Sequence, residues 1–245
     1  MSLSFQIVGI AQIRTLGLIY CLLILLGVVL SLISNYQSRQ PPKIQWPEKF
    51  PHGLSKPMLA LEFARTVDDI QRIVGDQGDP RRANMLALLR IDTFGFIPTY
   101  WLFFLSLSWL LGHRSIPYSF WFGVAVAVCA TAAALFDFAE NHYIRVALET
   151  PLSQTGVDTV MGIYRSALIK WLLIFVALAL LSGLFLGRSD WLAIIGILFL
   201  VTSLLGFVGL RHNPAIEWSY IPLLMTLVGV AVTFAFFPAR FLRYF

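Results

Sequence analysis

Two carboxylates and an amide lie close together near the end of a long apolar stretch of the sequence. Asp137, Glu140 and Asn141 occupy positions i, i+3 and i+4, so a helix would place them on one face. Carboxylates inside a membrane protein can carry protons, bind a cation or pair with a basic side chain. Because charges are unfavourable in lipid, we expect this face to point into the protein.

Three further residues are candidates for the same polar patch. Asp92 begins another apolar stretch, and the predicted topology places it at nearly the depth of Asp137. Arg145 follows Asn141 by four residues, one helical turn later. Glu62 joins these candidates only through the family resemblance described below.

A metal site at this patch is not predicted. Carboxylates and imidazole suit Mg, Mn, Zn or Fe, so Asp137, Glu140 and His142 are weak candidate ligands. Their spacing does not match a metal-binding pattern such as His-Glu-x-x-His, and His142 lies off the shared face. We therefore predict no metal and no cofactor.

Two other interpretations of the patch remain open. In the first, Arg145, Arg90 or Arg165 pairs with the carboxylates and forms an internal salt-bridge network. In the second, the clustered carboxylates bind protons at low dielectric. Lys170, near the start of the next apolar stretch, is expected to extend towards the interface rather than to take part.

Composition places the chain among membrane proteins. Of its 245 residues, 58% are hydrophobic and 13% are charged, with a mean hydropathy of +0.77. Soluble domains contain about 25% charged residues. The net charge of +5 comes without a basic run interleaved with aromatics, so we predict no nucleic-acid partner. Membrane lipids and other membrane subunits are the expected partners.

Six apolar stretches are long enough to cross a bilayer, which requires about 20 residues. We predict an all-α polytopic bundle that forms a single membrane-embedded domain over residues 1–245. The spans are predicted at about residues 16–34, 79–112, 116–141, 155–187, 191–210 and 220–238. Pro98 is expected to disturb the second span, since proline removes a backbone hydrogen bond.

The segment between the first two spans, residues 35–80, is predicted to be an extramembrane loop with one short helix. Several prolines interrupt its first part. Thr66 and Asp69 form a candidate capping box, and Gly75 is a natural end for the helix that follows. Asp79 and Pro80 then fit the N-cap and first position of the second span. A second candidate capping box, Thr155–Asp158, precedes the fourth span.

Basic residues are distributed unevenly between the two sides of this topology. The first, third and fifth loops carry thirteen of the eighteen Lys and Arg residues. Lys and Arg accumulate in cytoplasmic loops, so we predict that these three loops are cytoplasmic in a bacterial inner membrane.

Several of these residues also resemble the sequence motifs of a protein family. Leu61-Glu62-Phe63-Ala64 with Thr66, Asp92 at the start of a span, and Asp137-Phe-Ala-Glu140-Asn141 at the end of the next are similar to a family of bacterial polytopic membrane proteins. The resemblance covers about residues 58–145. The family has no established activity, so the resemblance implies residues of interest, namely Glu62, Asp92, Asp137, Glu140 and Asn141, and no mechanism.

Three classes of function are compatible with the sequence. A structural or accessory membrane subunit is favoured. A proton- or ion-coupled transporter and a membrane-embedded enzyme acting on a lipid or isoprenoid are the alternatives.

Overall fold

The computed structural model describes residues 3–37, 44, 46–112, 118–186 and 192–242. These residues contain no strand, and they form six helical segments that are long and apolar enough to cross a membrane. The predicted all-α polytopic bundle is therefore confirmed. The helices are α1 (Leu3–Gln37), α2 (Pro57–Glu62), α3 (Val67–Val74), α4 (Pro80–Ile91), α5 (Ile97–Gly112), α6 (Ser119–Glu149), α7 (Val157–Phe185), α8 (Leu192–Arg211), α9 (Pro214–Phe236) and α10 (Pro238–Leu242).

Helices that follow one another in the chain pack side by side from α5 to α9, and α1 packs against α9. The α1 helix also reaches α5, because the Tyr20 hydroxyl and the Ser106 hydroxyl share a hydrogen bond and the Tyr20 ring lies 4.8 Å from that of Phe103. The spanning helices thus form a closed bundle whose apolar side chains fill its interior.

Small residues bring several of these helices into close contact. On α8, Ser203 donates a hydrogen bond of 2.8 Å to the carbonyl of Phe175 on α7, and the Phe175 ring packs against Gly206. Gly17 of α1 lies directly against the backbone of Phe234 and Ala235 in α9. Close backbone approach at such residues is the usual basis of helix association in membranes.

The second span contains a π-helical turn, Asp92–Phe96, between α4 and α5. Pro98 has no N–H to donate to the carbonyl of Phe94, and its ring would clash with that carbonyl in a regular helix. The chain instead forms the wider turn, in which the N–H of Ile97 bonds to the carbonyl of Asp92. The disturbance expected from Pro98 therefore takes the form of a π turn, a feature that often occurs at functional sites.

The predicted helix start in the first loop is confirmed. The Asp69 amide donates to the Thr66 hydroxyl at 3.1 Å, while the Asp69 carboxylate accepts from the Thr66 amide at 3.1 Å. Gly75 ends α3 with a φ of 72°, a value that favours glycine. Asp79 caps α4 by accepting from the amide of Arg81 at 2.9 Å.

The predicted short helix of the first loop is α3, and part of this loop also packs into the interior of the protein. An additional helix, α2, packs against α6 and α7, and Leu61 and Phe63 are completely buried. The two helices α2 and α3 form a cap, here called the α2–α3 cap, over one end of the bundle. Because the sequence of this cap is short and contains proline, its pattern did not reveal the apolar surface that it buries.

Two other local predictions were wrong. Thr155 does not cap α7, because its hydroxyl donates to the Pro151 carbonyl at 3.2 Å and Gly156 is the N-cap. The last long helix begins at Pro214 instead of about residue 220, since proline is well suited to the first helical position. The predicted boundaries at residues 116, 187 and 191 lie outside the described residues.

Arg82 joins the α2–α3 cap to the bundle. Its side chain is 4% exposed, and its guanidinium donates to the carbonyls of Leu148 at 3.0 Å, Thr150 at 3.2 Å and Gly75 at 3.2 Å. The last carbonyls of α6 have no partner within their own helix, so the guanidinium satisfies them and complements the negative end of the helix dipole.

We predict that Gly17→Ala lowers the melting temperature of the detergent-solubilised protein. A Cβ at this position would overlap the α9 backbone, and overpacking of this kind typically costs about 1–3 kcal/mol. Gly183→Ala is the matched control, because a Cβ there meets no described atom within 4 Å and alanine favours the helix. Equal melting temperatures for the two variants would contradict the close contact between α1 and α9.

Candidate functional site

Three spans bring polar side chains to a common depth near the capped end of the bundle. Lys170 lies thirteen residues after the start of α7, about 20 Å along the helix at 1.5 Å per residue. Asp92 follows the start of α4 by about 18 Å, and Asp137 precedes the end of α6 by about 18 Å. Helices that begin or end on the same side therefore present these residues at one level, and the α2–α3 cap adds Glu62 from above.

The Lys170 ammonium is the centre of this site. Its Nζ lies 3.1 Å from Glu62 Oε2, 3.1 Å from Asp137 Oδ1 and 2.9 Å from Glu140 Oε2. An ammonium group has three N–H donors, and here each can point to a different carboxylate. The ammonium thus connects α2, α6 and α7. We call Lys170, these three carboxyls and Asp92 the Lys170 cluster.

Aromatic side chains complete the hydrogen bonding of two of these carboxylates. The Trp171 indole N–H donates to Glu62 Oε2 at 2.8 Å, and the Tyr100 hydroxyl donates to Asp137 Oδ2 at 2.9 Å. The Lys170 Nζ also lies 5.2 Å from the centre of the Trp171 ring, within the range of a cation–π interaction. Glu62 and Asp137 therefore each accept from one charged and one neutral donor.

Asp92 joins the cluster through an amide rather than through the lysine. Asn141 Nδ2 donates to Asp92 Oδ2 at 2.7 Å and to the Thr93 hydroxyl at 3.0 Å. The π turn therefore directs Asp92 and Thr93 towards the helix turn of α6 that carries Asp137 and Glu140. Asp92 is only half-buried, unlike the other carboxyls of the cluster.

Negative groups outnumber positive ones in the cluster. Among the described side chains, the exposed fractions are 8% for Glu62, 4% for Asp137, 1% for Glu140 and 4% for Lys170. Three buried carboxylates and a nearby fourth would leave a large net negative charge beside one ammonium, which is strongly unfavourable at low dielectric. Burial raises the pKa of Glu62, although the Lys170 ammonium opposes this shift. We therefore expect the cluster to retain bound protons.

The cation of the cluster was predicted incorrectly. Arg145 is exposed and pairs with Glu149 at 2.9 Å on the surface of α6, so it is not part of the site. Arg90 and Arg165 are also exposed. Lys170, which was expected to extend to the interface, is instead buried. The signal for it was its position well inside an apolar run, between Ile169 and Trp171.

The other predicted residues do lie together. Glu62, Asp92, Asp137, Glu140 and Asn141 all belong to one polar region, and the last three are buried as their shared helical face suggests. The sequence pattern did not reveal Tyr100 and Trp171, because aromatic residues in an apolar run are ordinarily packing residues.

The described residues contain no group of three or more His, Cys, Asp or Glu side chains arranged to hold a metal ion. The weak candidate His142 is exposed on α6, whereas Asp137 and Glu140 face the interior. The Lys170 ammonium already lies at the point on which the carboxylates converge.

Comparisons with protein-family models, curated proteins and solved structures find no match to this chain. The resemblance to a family of bacterial polytopic membrane proteins stays a prediction.

We predict that Lys170→Met lowers the free energy of unfolding by roughly 3–5 kcal/mol, the usual effect of removing one partner of a buried ion pair. It would leave Glu62, Asp137 and Glu140 without their cation. The loss of stability should be smaller at acidic pH, since protonation removes the uncompensated charges. It should also be smaller in the double variant Lys170→Met/Glu140→Gln, which has one carboxylate fewer. Thermal unfolding in detergent at neutral and acidic pH measures both effects.

The matched control is Lys49→Met, which removes an exposed lysine and should leave stability nearly unchanged. If Lys170→Met were no more harmful than this control, the ammonium would not be the centre of the cluster.

Proposed function

We propose that this integral membrane protein is a proton-coupled transporter and that the Lys170 cluster is its proton-binding site. The observation that supports the proposal most directly is the excess of buried carboxyls over cations. A purely structural contact to Lys170 requires only one or two carboxylates, and amides would complete it at a lower desolvation cost. Groups that must be able to gain and lose a charge are needed only if the protons themselves have a role.

Two carboxyls are the best candidates for carrying the proton. Asp92 has no contact with the Lys170 ammonium in the described structure, and its described partner, Asn141, is a neutral donor. Glu140 receives a hydrogen bond from Lys170 but, among the described side chains, none from an aromatic residue. Among the described contacts, neither has the pair of charged and neutral donors that Glu62 and Asp137 have.

The route of the proton follows from the difference in burial. Asp92, half-buried on the π turn, is the carboxyl through which a proton reaches the cluster, and Asn141 connects it to the turn carrying Glu140. A proton that arrives at Glu140 weakens its attraction to Lys170. Because the same ammonium holds Glu62 of the α2–α3 cap, protonation changes how strongly the cap is attached to the bundle. This is a connection between proton binding and conformation, which a coupled transporter requires.

We predict that the wild-type protein, in weakly buffered detergent solution, releases a proton after a jump from acidic to alkaline pH. The Glu140→Gln variant should not release this proton. A pH-indicator dye measures the release, and infrared spectroscopy shows the carbonyl stretch of the protonated acid. Glu149→Gln is the control, since Glu149 is an exposed carboxylate on the same helix. A carbonyl signal that persists unchanged in the double variant Asp92→Asn/Glu140→Gln would refute the assignment.

Charge movement tests the coupling itself. When the protein is adsorbed in liposomes on a solid-supported membrane, a pH jump should produce a transient current in the wild type. The Asp92→Asn variant should lose this current while retaining a melting temperature near that of the wild type, since Asp92 is only half-buried and makes no described ion pair.

A structural or accessory role is the second candidate, and the three-way contact of Lys170 favours it. One ammonium holds two spans and the α2–α3 cap together, as an internal scaffold would require. In that case Glu140→Gln and Asp92→Asn would alter only the melting temperature, and no pH-dependent current would occur. Other membrane subunits would then be the expected partners.

The orientation follows from the distribution of basic residues. The capped end of the bundle carries the first, third and fifth loops, and the proposal places it in the cytoplasm of a bacterial inner membrane. Protons would then be exchanged with the cytoplasmic side through Asp92.

We predict that a cysteine introduced at Lys49 resists an impermeant thiol reagent in intact cells and reacts after permeabilisation. The background is a variant without Cys21 and Cys129. Tyr118→Cys is the control for the opposite end, where the side chain is 75% exposed, and it should react in intact cells. Labelling of the first site and protection of the second would reverse the orientation.

A further inference from the structure

A second polar feature lies at the capped end, away from the Lys170 cluster. The first loop crosses the turn between α8 and α9, and the crossing forms a groove of about 550 Å³. Its lining includes His52, Arg65, Arg211, His212 and Asn213, and none of its lining residues is acidic. We call this the basic groove.

The loop that forms the groove is held in place by hydrogen bonds. Glu217 of α9 accepts from the Ser55 amide at 2.7 Å, the Ser55 hydroxyl at 2.6 Å and the Lys56 amide at 2.9 Å. His52 adopts a left-handed φ of 61°, and its Nε2 lies 3.4 Å from Asp69 Oδ2. The Glu217 carboxylate is thus engaged by the loop, the Asp69 carboxylate accepts from the amides of Arg65 and Thr66, and neither acidic residue lines the groove.

Asn213 provides an independent indication of a ligand. This side chain lines the groove and is only 4% exposed, yet neither its amide nitrogen nor its amide oxygen has a hydrogen-bond partner among the described residues. Leaving a buried amide unpaired is unfavourable by about 1–3 kcal/mol, so such groups ordinarily have a partner. A molecule in the groove that offers hydrogen-bonding atoms would satisfy it.

The basic side chains that line the groove favour an anion as its ligand. Arg65 and Arg211 both present exposed guanidinium groups, whose planar set of donors matches the oxygens of a phosphate. The Arg65 guanidinium already rests 5.2 Å from the centre of the Tyr164 ring, which orients it. Asn213 lines the same groove, and its buried amide has no hydrogen-bond partner among the described residues.

The position of the groove relates it to the membrane surface. Trp218 lines it and is 66% exposed, and exposed tryptophans in membrane proteins concentrate at the level of lipid headgroups. Basic pockets between spanning helices commonly bind anionic headgroups. We propose that the basic groove binds a phosphate group, carried by an anionic lipid headgroup or by a free phosphate, through Arg65, Arg211 and Asn213.

Ligand-dependent thermal stability tests the proposal. The protein is purified in neutral detergent, and its melting temperature is measured with added phosphatidylglycerol, phosphatidylcholine or inorganic phosphate. A ligand that binds only the folded protein raises the melting temperature. We expect phosphatidylglycerol, inorganic phosphate or both to raise it, and the two arms show which source supplies the phosphate. Phosphatidylcholine, whose headgroup has no net charge, should have a smaller effect.

Variants locate the binding. Arg211→Gln should weaken the stabilising anion about tenfold, and Arg65→Gln/Arg211→Gln should abolish the shift, because each charge-assisted hydrogen bond contributes at least a factor of ten. Arg145→Gln is the control, since Arg145 is exposed but remote from the lining. Both variants change exposed side chains, so folding should persist. Equal shifts in the wild type and the double variant, or no shift with either anion, would overturn the proposal.

Discussion

The structure depends on the contact between one ammonium and three carboxylates inside a membrane-spanning bundle. Lys170 is unfavourable in lipid without these partners, and Glu62, Asp137 and Glu140 are unfavourable without Lys170. The cluster can therefore form only when α6, α7 and the α2–α3 cap are together. Part of the first loop packs into the interior of the protein for this reason, because it carries Glu62, one of the three carboxylates that the ammonium contacts.

The same constraint accounts for features that are distant from the cluster in sequence. The π turn after α4 orients the side chains of Asp92 and Thr93 differently from a regular helix. The Asn141 amide donates a hydrogen bond to each of them. Arg82 binds the last carbonyls of α6 and the end of α3, so the cap is attached at a second point. Loss of the ammonium contact alone would weaken the attachment of the cap without detaching it, which is the behaviour expected of an element that responds to protonation.

Much of the fold could be predicted because its determinants are local. The apolar stretches define the spans, Thr66 and Asp69 define a helix start, and the i, i+3, i+4 spacing puts Asp137, Glu140 and Asn141 on one face. The partner of that face could not be predicted in the same way, since its identity depends on how helices rotate against one another. Arg145 is close in sequence but points outward, whereas Lys170 is thirty residues from Glu140 and points inward.

The two polar sites at the capped end differ in what they can exchange with their surroundings. The Lys170 cluster is enclosed by packed side chains, so a proton is the species that the proposed transporter would exchange there. The basic groove is open and holds arginines, so it suits a larger anion. Segments of the first loop contribute to both: Glu62 belongs to the cluster, and Arg65, three residues later, belongs to the groove. Under the two proposals, an anion bound at Arg65 would act on the segment that positions Glu62, so occupancy of the groove and protonation of the cluster would be thermodynamically linked.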